Sequence, residues 1–319
     1  MHDVGVPTRA RTGLLLGGLL VAGVLTALPF LAGYALPQRH FLLIGAASLA
    51  GWSPYALVPV LLVAAALRSW LASALLAVLL AAQVAVLLPS YRPDSVRSGP
   101  RIVVMTSNLA LGQADADTVV GLVRDRHVDL LALVELTPPE VERLRAAGLD
   151  QLLPHSVVMA ADGAAGTGLW SRQPLVEVPP WRATFATAAA DVAGVRFRAL
   201  HPFPPLRGRV STWSADYAAI TADARRETTA PTVLLGDLNA SVHHRALRTL
   251  MGERWRDAAA LAGAGLVRTW GPFIGRPPVL DPDHVLVDRG MSVAAYDTAQ
   301  VDGSDHRAVV VTLVLPTRP

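Results

Sequence analysis

A chain of 319 residues that is 52% hydrophobic, with a mean hydropathy of +0.40, is too apolar to be one soluble domain. Every cation is an arginine, and from residue 99 onward 22 arginines face 23 carboxylates, so the pI of about 9.8 does not report a basic nucleic-acid-binding face. The lack of cysteine excludes a disulfide framework without fixing the redox compartment.

The apolar excess lies at the start of the chain. Three runs, 14–36, 41–67 and 70–88, each meet the requirement of about 20 residues for a helix crossing the hydrocarbon. The first run has the basic flank (Arg9, Arg11) and the small residues near Ala35 of a signal peptide, but two further runs follow at once and favour an uncleaved anchor. Pro54 and Pro59 predict a kink or a re-entrant turn in the second. Arg9, Arg11 and Arg68 place the N-terminus inside, so about three crossings leave everything after residue 88 outside. Arg39, Arg92, Arg97 and Arg101 then stand on the outer side, against the usual bias. The expectation is a multi-pass protein of the cell membrane with an extracytoplasmic domain: a transmembrane region over 1–90, a linker over 91–100 and a catalytic domain over 101–319.

The segment "YRPDSVRSGP" (91–100) reads as the linker because Pro, Gly, Ser and charge replace the apolar run. Strand-like and helix-like pieces then alternate. "RIVVMTSNL" and "VDLLALVEL" are apolar strands ending in polar residues, with the amphipathic helix "DADTVVGLVRDRH" between them. "TPPEVERLRAAG" opens a helix with Thr137 as N-cap, Pro138 in its first turn and Gly148 as the stop. Strands follow in "HSVVMA", "GLWSR", "ATFATAAADV" and "VRFRALHP", the last two joined by a tight turn at Ala193-Gly194. A helix over 210–228 leads into "TVLLGDLN", a short helix into 244–251, and three strands close the chain: "DHVLVD", "MSVAAYD" and "AVVVTLVL". No internal repeat is evident. The pattern predicts one α/β domain around a two-layer strand core.

Polar residues cluster where these apolar runs end: Asn108, Glu135, His201, Asp237 with Asn239, Asp283, and Asp305 with His306. In an extended chain i and i+2 share a face, so Asp237 and Asn239 project together, a grip for a hard cation and a phosphate oxygen. Gly-Asp-Leu-Asn is equally a run of turn residues.

Taken with their neighbours, these residues form an ordered set: "SNL" (107–109), "VEL" (134–136), "GLWSRQPL" (168–175), "ALHPFPP" (199–205), "GDLN" (236–239), "DHVLV" (283–287) and "GSDH" (303–306). In order and spacing the set resembles the endonuclease/exonuclease/phosphatase family, which includes deoxyribonuclease I, abasic-site endonucleases, inositol polyphosphate 5-phosphatases and bacterial sphingomyelinases. The resemblance implies a four-layer α/β sandwich, two packed β-sheets flanked by helices, behind an N-terminal bundle of about three transmembrane helices. It implies Mg²⁺, with Mn²⁺ as an alternative, held by Glu135 with Asn108 and Asp305 completing or supporting the site. Asp237 would orient or deprotonate the attacking water, and Asn239 would hold that water and a phosphate oxygen. His306 with Asp283 resembles the family's catalytic His-Asp couple, and His201 a second phosphate-facing histidine. Two departures stand out. Val134 replaces the Gln that many relatives carry before the metal-binding Glu, and Asp281 competes with Asp283 as partner of the histidine.

The reaction class implied is metal-dependent hydrolysis of a phosphoester or phosphoanhydride by water. The short tether and the missing basic excess favour a lipid-linked phosphate or pyrophosphate, with a polyprenyl pyrophosphate as the natural candidate. An actinobacterial subgroup of the family, associated with glycopeptide resistance, has the same plan of three helices before an external catalytic domain. The competing readings are a membrane-attached extracellular endonuclease, for which "LRGRVSTW" (206–213) could supply arginines to nucleic acid, and a non-catalytic membrane ligand-binding domain.

Overall fold

A computed structural model describes residues 8–227 and 230–316, with side chains from residue 13 on. The chain divides into two compact units, Met1–Pro89 and Ser90–Pro319.

The first unit is helical: α1 (Thr8–Tyr34), α2 (Phe41–Ser48), a 3₁₀ turn (Ala50–Trp52), α3 (Ser53–Ala66) and α4 (Trp70–Leu87), which ends in a second 3₁₀ turn (Leu88–Tyr91). Two stretches, Gly13–Tyr34 and Trp70–Tyr91, are long and apolar enough to cross a membrane. The second apolar run is a helix pair bent by 47°, either one broken span or a re-entrant loop. The break falls at Leu49, ahead of the 3₁₀ turn, and Pro54, which lacks an N–H, follows in the first turn of α3. Inside the unit Leu19, Leu57 and Leu76 pack together. The Ser53 hydroxyl donates to the Thr26 carbonyl at 2.8 Å, the kind of partner a polar group needs away from water.

The second unit opens with β1 (Arg101–Asn108), α5 (Ala116–Asp125), β2 (Leu130–Val134), α6 (Pro138–Ala146), α7 (Leu149–Leu152), β3 (His155–Met159), β4 (Thr167–Ser171), β5 (Leu175–Glu177), β6 (Ala189–Val192) and β7 (Val195–Ala199). It continues through α8 (Val210–Arg226), β8 (Thr232–Asp237), α9 (Arg245–Met251), β9 (Trp255–Asp257), α10 (Ala258–Leu261), β10 (Asp283–Asp288), β11 (Ser292–Gln300) and β12 (Arg307–Val314). The helix expected over 210–228 is seen to Arg226, and Thr228 lies outside the described residues. Only the last four residues of "ATFATAAADV" become strand, and the short β5 and β9 carry too few residues to show a period in the sequence.

The strands form two six-stranded mixed sheets, in the orders β11-β12-β1-β2-β4-β3 and β5-β6-β7-β8-β10-β9. β1 pairs in parallel with β2, and β7 with β8; every other pairing between named strands is antiparallel. A helix makes each parallel crossover, α5 in one sheet and α8 in the other. The sheets pack face to face through Val104, Ala132 and Val311 of one and Phe197, Val233, Leu235 and Val285 of the other. The alternate residues Met105, Leu131 and Leu133 face outward onto Val119, Val123 and Leu144 of α5 and α6. Both faces of the central strands β1 and β2 are covered, which is why they read as nearly unbroken apolar runs. This is the α/β sandwich expected. The β6–β7 turn has φ of 52° at Ala193 and 80° at Gly194, the pair of positive angles that a two-residue hairpin turn requires.

Residues 90–97 lie along the second unit as a strap. The Ser90 carbonyl accepts from the Gly265 N–H at 2.9 Å, Asp94 N–H donates to the Leu261 carbonyl at 2.9 Å, and Asp94 pairs with Arg256. Arg97 N–H donates to Ser292 Oγ at 3.0 Å.

Candidate active site

Two pairs of strand ends meet at one rim. β1 delivers Asn108 and the residue after β2 is Glu135; the chain after β7 delivers His201, and β8 ends in Asp237. β10 begins at Asp283, directly opposite Asp237 in the antiparallel ladder, and His306 precedes β12.

Asn108 joins the two sheets. Its Nδ2 donates to Glu135 Oε1 at 3.1 Å and to Asp237 Oδ2 at 3.0 Å, while its Oδ1 accepts from Ala110 N–H at 2.9 Å. Glu135 has φ of +56°, uncommon for this residue type, and its carboxylate is held there by Leu111 N–H at 2.6 Å. The outlier turns the carboxylate away from the strand direction and into the rim.

The Gly-Asp-Leu-Asn element is a turn as well as a site. Gly236 has φ of +142°, and a Cβ there would fall 2.1 Å from the Leu200 carbonyl oxygen, so only glycine lets β7 and β8 close at this point. Asp237 Oδ1 accepts from Asn239 N–H at 2.8 Å, and Asn239 sits at φ +47°, a conformation asparagine tolerates. Two donors four residues apart on α8 brace this turn: Tyr217 O–H bonds the Leu238 carbonyl at 2.6 Å and Trp213 Nε1 the Asn239 carbonyl at 3.2 Å. Asn239 Nδ2 donates to the Pro202 carbonyl at 3.0 Å.

His201 is buried, and its Nδ1 faces the Ala164 carbonyl at 3.1 Å, so that nitrogen carries the proton. Nε2 is thereby turned to Glu135 Oε1 at 3.8 Å and Asp237 Oδ2 at 3.7 Å. His306 Nδ1 lies 2.8 Å from Asp283 Oδ2, and its Nε2 lies 3.8 Å from Asp237 Oδ2. Burial opposes charge on His306, but the carboxylate of Asp283, with Asp237 and Asp305 behind it, outweighs burial and lifts the pKa to about 9. Of the two aspartates in "LDPDH", Asp283 is therefore the histidine's partner. Asp305 Oδ2 accepts from Trp270 Nε1 at 2.9 Å, so its carboxylate is bonded to that indole.

Several supporting residues carry no signal in the sequence. Thr269 Oγ1 donates to Asp283 Oδ2 at 2.7 Å, fixing the carboxylate that fixes His306. Ser304 Oγ donates to the Asn108 carbonyl at 2.8 Å and accepts from His306 N–H at 3.0 Å, tying "GSDH" to the end of β1. Ser304 stands inside a motif already singled out, whereas Thr269 and Trp270 sit in a loop that only the folded chain brings to the site.

The donor set fits a hard divalent cation. Glu135, His201 and Asp237 can each offer a ligand atom within one cluster, as can Asp237, Asp283 and His306. Carboxylate oxygens dominate both groups, and Asp283 Oδ1 is buried without a hydrogen-bond partner. Three buried or half-buried carboxylates this close repel one another, and a cation relieves that repulsion.

Paired mixed sheets with this rim define a metal-dependent hydrolase of phosphoester bonds. The chain belongs to the Endonuclease/Exonuclease/phosphatase family, whose model matches residues 105–306. No curated protein matches the chain in a sequence comparison. Among solved structures it is similar to the 3′ phosphatase NExo from Neisseria bound to product DNA hairpin (20% identity, 66% of this chain and 98% of that one, TM-score 0.57). It is also similar to an AP endonuclease from Archaeoglobus fulgidus (12% identity, 66% and 98%, TM-score 0.57). A third similar structure is a family protein from Bacteroides thetaiotaomicron (14% identity, 69% and 100%, TM-score 0.51). At these identities the likeness shows the fold.

Proposed function

We propose that the chain is a membrane-anchored, Mg²⁺-dependent phosphoesterase acting on a lipid-linked phosphate or pyrophosphate, such as a polyprenyl pyrophosphate, at the outer membrane face. The strap is the observation that carries the lipid reading. Tyr91 ends the helical turn that follows the last apolar helix, and its ring lies against Gly265, where an added Cβ would fall 2.2 Å from it. Five residues on is Trp270, bonded to Asp305 at the rim; five residues reach at most about 18 Å. The rim loop 271–279 also exposes Phe273 (68%) and Ile274 (54%), apolar side chains suited to a lipid surface.

A bound divalent ion would polarise the phosphoryl oxygen and neutralise charge building on it. Glu135 would hold the ion, with Asn108 and Asp305 completing or supporting its site. Asp237 orients the attacking water and takes its proton, with Asn239 holding water and phosphate oxygen in line. His306, kept cationic by Asp283, donates to the oxygens that gain charge in the phosphorane-like transition state, and His201 faces the phosphate from the other side. Water is the nucleophile, so no covalent enzyme intermediate forms.

One observation favours the nuclease alternative. His201, Phe185 and Phe203 follow one another with ring centroids 5.1 and 5.4 Å apart, and the Arg209 guanidinium lies 4.6 Å over Phe203, a wall on which a base could stack. The full chain in nanodiscs, assayed with Mg²⁺ or with chelator on a bilayer-borne polyprenyl pyrophosphate and on plasmid DNA, separates the two. Mg²⁺-dependent release of phosphate from the lipid alone supports the proposal, and cleavage of DNA alone overturns it. An association with glycopeptide resistance rests on the shared plan; unchanged glycopeptide tolerance after deletion from the host would remove it.

A further inference from the structure

The outer-flank arginines run against the charge bias expected of that side, and the strap shows where one of them goes. Between the strap and the far end of β10 lies a cavity of about 470 Å³, within the roughly 300–1,000 Å³ usual for small-ligand sites. Arg97, Arg256 and Arg289 line it, with Asp94, Asp288 and Ser95. The two carboxylates are already neutralised, Asp94 by Arg256 and Asp288 by Arg254 at 2.9 Å. Arg97 donates to the Gly290 carbonyl at 3.1 Å, and among the described residues no carboxylate pairs with Arg97 or Arg289. Two arginines that line one cavity therefore carry charge that no carboxylate neutralises, the residue type that grips a phosphate oxygen.

This cavity is not the catalytic rim. β10 starts at Asp283 in the rim and ends at Asp288 in the cavity, about 17 Å apart at roughly 3.3 Å per residue. Its wall begins at Asp94, only seven residues after Leu87 closes the last apolar helix. Seven residues span at most about 25 Å, which bounds the length of chain between the last apolar helix and the cavity wall.

We propose that the cavity binds the phosphate of an anionic phospholipid headgroup, a second lipid contact separate from the substrate and dependent on the reading of the helices as membrane-spanning. The lipid clamps the strap to the domain.

The test uses the full chain with chelator present, extracted from nanodiscs of neutral phosphatidylcholine with or without phosphatidylglycerol, and read by native mass spectrometry. The expected result is retention of one phosphatidylglycerol by the parent and its loss in Arg97→Gln/Arg289→Gln and in the single charge reversal Arg289→Glu. In a separate assay with Mg²⁺ and no chelator the variants keep near-parental turnover of a soluble phosphodiester, and an unchanged thermal midpoint certifies their fold. Equal retention by parent and variants overturns the proposal. Thermal stabilisation of the parent, but not of the variants, by millimolar inorganic phosphate without any lipid retention keeps a phosphate site and overturns the lipid as its source. Failure of the polyprenyl pyrophosphate assay leaves this outcome untouched, because chelator silences hydrolysis in both arms.

Discussion

The two sheets have the same plan and carry different residues to the rim. Read across, β11-β12-β1-β2-β4-β3 and β5-β6-β7-β8-β10-β9 place successive strands in identical order, each with one parallel pair closed by a helix. The first sheet brings Asn108 and Glu135 to the rim from its parallel pair; the second brings His201 and Asp237 from its own. In the proposed mechanism the first half serves the metal through Glu135 and the second moves the proton through Asp237, while Glu135, His201 and Asp237 lie within one possible ligand cluster. The seam between them is joined by the single Asn108 amide, which donates to both carboxylates. A repeated strand order supplies two sets of strand ends, and the residues placed on them differ.

That division can be broken experimentally. Asp237→Asn should lower kcat by about 10²–10⁴, the range for loss of a general base, with KM little changed and no recovery at raised Mg²⁺. If Gly-Asp-Leu-Asn is only a turn, a folded variant retaining near-full turnover would show it, since ordinary surface changes stay within about 0.5 kcal/mol. Glu135→Gln should cost about 10² at limiting Mg²⁺ and recover in part as the metal is raised, because a neutral amide is a poorer partner for a hard dication. Identical metal dependence in the two variants would erase the difference between the halves.

A third prediction concerns a histidine that serves the second sheet alone. His284 is buried with Nδ1 2.6 Å from Asp257 Oδ2 and Nε2 2.8 Å from the Ala240 carbonyl, so both nitrogens face acceptors and the ring is an imidazolium. Burial disfavours that charge, yet Asp257 and then Asp281 outweigh it and raise the pKa to about 9. The stabilisation is complete below the unfolded value of about 6.5 and is lost as pH rises through about 9. His284→Ala should cost about 3 kcal/mol at neutral pH, the scale of breaking a buried pair, and flatten the alkaline fall in Tm. A parental Tm that holds steady from pH 7 to 10 would contradict this. The smallest effect is expected at the strap: Asp94→Asn removes a solvent-exposed partner of Arg256 and should shift stability by only about 0.2–1 kcal/mol, checked by urea unfolding. A larger loss would mean the strap belongs to the domain's cooperative core.

A different measurement addresses orientation. If Arg9 and Arg11 keep the N-terminus inside and the helices make three crossings, a reporter fused after Pro319 should be active only in its external form. Activity in the cytoplasmic form would mean that the bent pair of helices is re-entrant and leaves two crossings.

Much of this was legible before folding because the signals are local. A polar residue where an apolar run ends or begins is a side chain delivered by a strand terminus, and that pattern put Asn108, Glu135 and Asp237 at or just past the ends of their strands and Asp283 and His306 at or just before the starts of theirs without any tertiary information. Helix caps and the Ala193-Gly194 turn follow equally from neighbouring residues. The apolar start declared its membrane-length helices by composition alone. Tertiary structure decided what depends on distant partners. Asn108 meets Asp237 across 129 residues of chain, and Asp283, not Asp281, meets His306 because Thr269 and the ladder to Asp237 hold it there. The doubled strand order leaves no repeat in the sequence, since each strand answers to the burial of its own faces and not to its counterpart. The strap reads as a linker in sequence, because what seats it, Gly265, Leu261 and Arg256, lies more than 160 residues further on and acts only once the chain has closed.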